Sequence, residues 1–216
     1  MKKLTFRGGV HPNDSKAATA AVPIKELEPS DTYTYPLSQH IGAPCKPLVG
    51  VGDAVLRGQK IADAESFVTA PIHSAVSGRV TAIERRMVPN GNMEDSIIIE
   101  SDGQDALHES VRPHGTYESV TPEQILEIVR EAGITGMGGA AFPTHVKLNI
   151  PRDVSVDTVI INGAECEPYL TSDHRVMLEI PSLVVEGLRL AMKAVGVHSA
   201  KIAIEENKPD AIVQIT

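Results

Sequence analysis

The sequence predicts a multidomain chain of the α+β / α/β class: a small all-β barrel or sandwich followed by an incomplete α/β domain. Three observations carry this. Short β-prone runs alternate with glycine turns between residues 42 and 101; the apolar pattern changes to helical spacing from residue 121; and two strand-like apolar runs, 156–162 and 200–204, flank a helical stretch. Strand, helix, strand in that order produces parallel strands in one sheet. The expected divisions are a lead-in over 1–41, a β domain over 42–115 and the N-terminal part of an α/β domain over 116–216.

In the lead-in, Pro12, Pro23, Pro29 and Pro36 interrupt regular structure, so an extended segment is expected. The β domain should contain strands at 47–49, 54–56, 60–62, 75–76, 79–83 and 96–100, with turns at Gly50, Gly52-Asp53, Gly58, Ser77-Gly78 and Asn90-Gly91. Thr121-Pro122-Glu123-Gln124 supplies an N-cap, a proline at the first helical position and a capping-box Gln. Ile125, Ile128 and Val129 then follow on one face, and Gly133 closes the helix. Residues 156–162 read as a buried strand, 175–195 as one or two helices broken near Pro181, and 200–204 as a second buried strand. Lys208-Pro209-Asp210-Ala211-Ile212 begins another helix. A two-stranded sheet and a short final helix do not complete an α/β domain, so a longer protein is expected.

At 216 residues with 42% hydrophobic content, the chain can build a buried core. Its net charge of −8, 3% aromatic residues and lack of Trp argue against nucleic acid as a partner. The most apolar long stretch, 180–197, carries Glu186, Arg189 and Lys193, so it reads as an amphipathic helix rather than a membrane span. The N-terminus reaches Arg7-Gly8-Gly9 before any apolar core forms, which leaves a cytoplasmic location. Cys45 and Cys166 stand far apart and outside any CxxC pair, and the eight histidines show no HxxxH or HExxH spacing, so no metal or cluster site is expected in this chain.

The run Val49-Gly50-Val51-Gly52-Asp53 through Gly58-Gln59-Lys60-Ile61, followed by Ala70-Pro71-Ile72-His73 and Ser77-Gly78, resembles the biotinyl and lipoyl carrier domains, which are barrel-sandwich hybrids. A carrier needs a lysine at the tip of its exposed hairpin. The tip here falls near residues 63–67 and has none, while Lys60 lies inside the presumed strand. A structural or docking role is therefore expected for the β domain.

Two stretches could bear chemistry. Gly136-Met137-Gly138-Gly139-Ala140-Ala141 fits a loose G-x-G-x-x-A pattern, but a helix precedes it where the dinucleotide fingerprint needs a strand. What remains is a glycine-dense loop able to present bare backbone N–H groups to a flat or anionic ligand, stiffened by Phe142-Pro143 and supplied with a positive charge by Lys147. Read alone, such a loop is more often a tight turn than a binding site. Asn162-Gly163-Ala164-Glu165-Cys166-Glu167-Pro168 lies beyond the carboxyl end of a predicted strand, where open α/β sheets bind ligands. An extended backbone would turn Glu165 and Glu167 to one side and Cys166 to the other. Read alone, this is equally a solvated acidic turn with a buried thiol. Flanking carboxylates oppose thiolate formation at Cys166, so that side chain is expected to pack.

Together these stretches resemble the C subunit of the Rnf electron-transport complex. The resemblance is carried by Phe6-Arg7-Gly8-Gly9-Val10-His11-Pro12, by Pro36-Leu37-Ser38-Gln39-His40-Ile41-Gly42-Ala43-Pro44, by the run from Gly133 to Leu148 containing the glycine loop, and by Ile161-Asn162-Gly163-Ala164-Glu165-Cys166-Glu167-Pro168-Tyr169-Leu170. The last two are also similar to the flavin-binding subunit of respiratory complex I. The resemblance implies non-covalent FMN and hydride exchange with NAD(H). It further implies flavin contacts at Gly136, Gly138, Gly139, Ala140, Lys147, Asn162 and Glu165, a place near the nicotinamide for Phe142, and a nucleotide contact at Glu167. It assigns no catalytic side chain. Implied partners are the other subunits of a membrane complex and, indirectly, ferredoxin, with attachment to the inner face of the membrane through those subunits. The [4Fe–4S] clusters of such proteins would lie in a C-terminal part beyond this sequence, without which the chain is expected to be inactive. Met137 and Ala164 depart from the Arg and Asp of the complex I relatives. A cobalamin reductase of the propanediol-utilisation type shares the two ligand-binding stretches, and a barrel-sandwich docking module is the non-enzymatic alternative.

Overall fold

The computed structural model describes residues 12–137 and 139–216, so Gly138 and most of the Phe6–Pro12 motif lie outside the described residues. The described residues divide into two compact units, one of 27–156 with 193–196, the other of 12–26, 157–192 and 197–216.

The first unit is built on two antiparallel sheets. One has the order β1 (Thr32–Pro36), β7 (Met93–Ser101), β6 (Gly78–Met87), β3 (Ala54–Val55); the other has β2 (Lys46–Pro47), β4 (Lys60–Asp63), β5 (Ile72–His73). Val55, Ile61, Ile72, Val80, Ile97 and Ile99 fill the core, all fully or nearly fully buried. The β6–β7 hairpin turns at Asn90-Gly91, where the Gly91 N–H donates to Val88 O at 2.8 Å.

Two strands of this unit differ from expectation, and the two strands expected to be buried in the other unit are instead half-buried to exposed along their length. The lead-in contributes β1, because Thr32-Tyr33-Thr34-Tyr35 offers the branched and aromatic side chains that suit a strand and pairs with β7 from Thr32↔Glu100 to Pro36↔Ser96. Pro36 is tolerated since β1 is the edge of its sheet and ends there. The strand expected at 75–76 falls instead at Ile72–His73. Ser74 is buried, and its hydroxyl donates to Val76 O at 2.7 Å, bending the chain where a strand would have continued.

Helix α1 (Pro122–Glu131) carries the expected capping box: the Thr121 hydroxyl accepts from the Gln124 N–H and the Gln124 side chain accepts from the Thr121 N–H. Its C-terminus is tied to β4. Arg130 pairs with Asp63 at 3.3 Å, and Lys60 pairs with both Asp63 (3.2 Å) and Glu131. Burial alone would raise the Asp63 pKa, but the Ala64 N–H together with Lys60 and Arg130 outweighs it and holds the carboxyl below its usual range. Gly133 follows in a left-handed conformation, with a Cβ position only 2.3 Å from Pro71 O, so glycine is required both for φ and for the close approach. A short helix, α2 (Thr144–Leu148), lies beyond the glycine loop.

The second unit contains the parallel pair β8 (Thr158–Asn162) and β9 (Ser199–Ala203), in register from Thr158↔Ser199 to Asn162↔Ala203. The connection between them is α3 (Ser172–Glu179) and α4 (Pro181–Val195), divided at Pro181 as the sequence predicts. Helix α5 (Pro209–Ile215) meets α3 through His174 Nε2 and Asp210 at 3.0 Å, with Met177 and Ala211 buried. The apolar side of α4 is only partly covered, for Leu188 is buried while Leu183 is 57% exposed. No helix of the described residues is long and apolar enough to cross a membrane.

Candidate functional site

The glycine loop is a closed excursion of the chain with a hydrogen-bonded base. Thr135 and Pro143 form an antiparallel bridge, the Gly136 N–H donates to Phe142 O at 2.9 Å and the Thr144 N–H donates to Ile134 O at 3.0 Å. Gly139 and Ala140 are exposed, and a Cβ on Gly139 would meet nothing, so backbone there is open to a ligand. Ala141 takes φ of 49°, a conformation that costs a non-glycine residue energy and recurs where a loop is shaped for binding. Phe142 is half-buried.

Helix α2 delivers Lys147 to this loop. Its Nζ lies 3.7 Å from the position a Gly136 Cβ would take, and the Phe142 backbone N and O lie equally far from that position. A Cβ at 136 would meet the ammonium at ordinary van der Waals distance. Bare backbone, a flanking ring and one cation form a donor set suited to a flat ligand carrying negative charge, which is the chemical character of FMN. Beside the base of the loop lies a polar cavity of about 230 Å³, lined by Tyr35, Gln39, His40, His73, Gly133 and Thr135. Burial pushes the His73 imidazole down, and Lys60 adds to this. Among the described residues no group of His, Cys, Asp and Glu is arranged to hold a metal ion.

The acidic strand end belongs to the other compact unit, so the structure gathers Gly136, Gly139, Ala140, Phe142 and Lys147 in one unit and Asn162, Glu165 and Glu167 in the other. Asn162 is exposed at the end of β8, its Oδ1 accepting from the Ala164 N–H at 3.1 Å. Extended structure stops there, and the alternation expected beyond it does not hold. Glu165 is 3% exposed, whereas Cys166 and Glu167 are both exposed. The expectation that Cys166 packs inward is thus corrected: the chain leaves the strand geometry after Asn162, and the buried position goes to Glu165 instead.

Sequence reasoning missed what Glu165 does. Its Oε1 accepts from the Asp173 N–H at 2.9 Å and the Ser172 hydroxyl at 3.1 Å, at the start of α3, where Thr171 supplies no side-chain cap. Its Oε2 faces Lys208 Nζ at 3.5 Å and Lys16 Nζ at 3.8 Å. Lys16 also donates to the Glu165 backbone carbonyl, while Lys208 holds Glu205 at 2.7 Å. Burial would raise the Glu165 pKa, but the donors from Asp173 and Ser172 and the two lysines outweigh it and hold it below the ordinary range. Burial and the Glu165 charge push Asp173 up. Lys16 lies 149 positions from Glu165 in sequence, so no local pattern announces the contact.

Comparison with known proteins finds two family matches along the chain. Residues 4–104 match the family described as the RnfC barrel sandwich hybrid domain, and residues 129–216 match the Nuo51 FMN-binding domain. The chain is 49% identical over 212 residues to the C subunit of the Na(+)-translocating ferredoxin:NAD(+) oxidoreductase complex of Acetobacterium woodii, covering 98% of this chain and 48% of that one. It is 48% identical over 208 residues to the C subunit of the proton-translocating ferredoxin:NAD(+) oxidoreductase complex of Clostridium ljungdahlii, covering 96% and 46%. It is 41% identical over 218 residues to the C subunit of the ion-translocating oxidoreductase complex of Rhodobacter capsulatus, covering 100% and 42%. The chain thus spans about half the length of the curated relatives it matches.

Proposed function

The chain belongs to the RnfC family of Rnf-type complexes, and from that premise we propose that it is the FMN-holding part of an ion-translocating ferredoxin:NAD oxidoreductase. The observation that carries this reading is the glycine loop with Lys147 set over Gly136, inside the stretch matching an FMN-binding domain. In this reading Gly136, Gly138, Gly139 and Ala140 offer backbone to the flavin and Lys147 supplies positive charge to its anionic part. Phe142 borders the nicotinamide side. By the resemblance, Asn162 is assigned a flavin contact and Glu167 a nucleotide contact, and both are exposed at the acidic strand end. Glu165 acts chiefly by holding that strand end in shape. Bound FMN would accept a hydride from NADH and release its electrons singly, which a side chain cannot do. The residues of this chain bind, orient and shield it, while onward transfer to iron–sulfur clusters takes place outside the chain, so the chain by itself is inactive in electron transfer. The whole protein works at the inner face of the membrane through its partner subunits.

The test is titration of FMN into the chain, followed by quenching of flavin fluorescence. Saturable quenching is expected, with affinity about tenfold weaker in Lys147→Ala, the equivalent of about 1.4 kcal/mol for one lost charge-assisted contact. Absence of saturable quenching in the unaltered chain would sink the flavin reading and leave the barrel-sandwich docking module in its place.

A further inference from the structure

The motif Pro36-Leu37-Ser38-Gln39-His40-Ile41-Gly42-Ala43-Pro44 contributes no expected ligand contact, yet the structure places its centre between the β4–β5 connection and the glycine loop. On one side it is fastened to the connection. The His40 Nε2 lies 3.1 Å from the Ala70 N–H and 3.0 Å from Ala70 O, and its Nδ1 lies 3.1 Å from Ile41 O. The Ala43 N–H donates to Val68 O at 3.0 Å, and the Thr69 hydroxyl donates to Ala43 O at 3.3 Å. Gly42 has φ of +111° and a Cβ position 2.2 Å from Val68 O, so the segment lies flush against the connection only because residue 42 is glycine. On the other side the Ile41 N–H donates to Ala140 O at 2.9 Å, away from the hydrogen-bonded base of the loop. Thr69 and Ala70 are themselves buried, so the anchor is rigid.

We propose that residues 40–42 form a positioning strap that fixes the glycine loop against the barrel and so sets the backbone geometry offered to the flavin; the role in flavin binding rests on the FMN reading above. The same proposal accounts for the β4–β5 connection. In a carrier domain this hairpin is exposed, whereas here Asp63 holds Arg130 on α1, the Phe67 backbone meets the His145 ring on α2, and Val68 and Ala70 hold the strap. The position from which a carrier presents its lysine has become the wall that shapes a neighbouring loop.

The experiment compares amide hydrogen exchange and FMN affinity in the unaltered chain, His40→Ala, His40→Gln and Gly42→Ala. Exchange of the amides in 136–142 is expected to accelerate about tenfold in His40→Ala and Gly42→Ala, as for loss of about one or two net hydrogen bonds. Amides of β6 and β7 should be unchanged, and the FMN Kd should rise by about the same factor. His40→Gln, whose side-chain oxygen can still accept from the Ala70 N–H, should recover most of both losses. If Gly42→Ala fails to fold, the His40 pair carries the comparison. Where the unaltered chain binds FMN, either readout staying unchanged in His40→Ala overturns the strap. Acceleration spread equally over β6 and β7 also overturns it, by showing general destabilisation. Failure of the unaltered chain to bind FMN overturns the flavin reading and the strap's role in it, and that outcome is visible without any variant.

Discussion

Glu165 keeps its charge at a buried position, and the surroundings explain both facts. A carboxylate removed from water is costly unless donors and cations replace the solvent. Here the Asp173 N–H, the Ser172 hydroxyl, Lys208 and Lys16 do so. Glu165→Gln retains the shape but loses the charge facing two lysines, and is expected to lower stability by about 1–3 kcal/mol at neutral pH, measured by urea unfolding. The pH dependence has a definite sign. Because the folded-state pKa is depressed, the contribution is fully present above the ordinary glutamate pKa and is lost as the pH falls through the lower folded value. The gap between variant and unaltered chain should therefore close on acidification. An unchanged gap down to strongly acidic pH would rule out the charge as its source. The type of residue at 165 was legible in the sequence as a candidate for chemistry; its structural task was not, since its partners at 16, 172, 173 and 208 come from three different parts of the chain.

At the scale of elements, local rules succeeded at the α1 cap and the β6–β7 turn, where the deciding interactions are close in sequence. The capping box of α1 joins residues three apart, and the β6–β7 hairpin is set by a turn, so both appear where expected. Thr121→Ala should cost about 1 kcal/mol, seen as a lower urea midpoint with an unchanged slope. No loss would mean that the ties from Arg130 to Asp63 and from Glu131 to Lys60 suffice to hold the helix. The tie from Arg130 spans 67 positions and could not be read from spacing. β1 was hidden for a related reason: four prolines dominate the lead-in, and only pairing with β7 gives Thr32–Pro36 a reason to be a strand. Alternation beyond Asn162 failed because it presumes extended backbone, and the pairing with β9 ends at Asn162↔Ala203.

Over the whole molecule, a ligand that binds only the folded chain must stabilise it. FMN at one hundred times its Kd should add about 2.7 kcal/mol to the stability of the unit that binds it, with a concentration-dependent rise in Tm. A Tm indifferent to FMN across that range would contradict the flavin reading. The amino-acid sequence by itself determined the class of each part, the barrel-sandwich match over 4–104, the FMN-binding match over 129–216 and the family. It could do so because alternation, glycine turns, helix caps and family motifs are all patterns among neighbouring residues. Only the tertiary structure decided that Glu165 is buried and Cys166 exposed, that the carrier-like hairpin braces α1, and that Ile41 reaches the glycine loop from a segment that His40 and Gly42 fasten to that hairpin. These depend on which distant segments share a surface, and that is decided by how the whole chain packs.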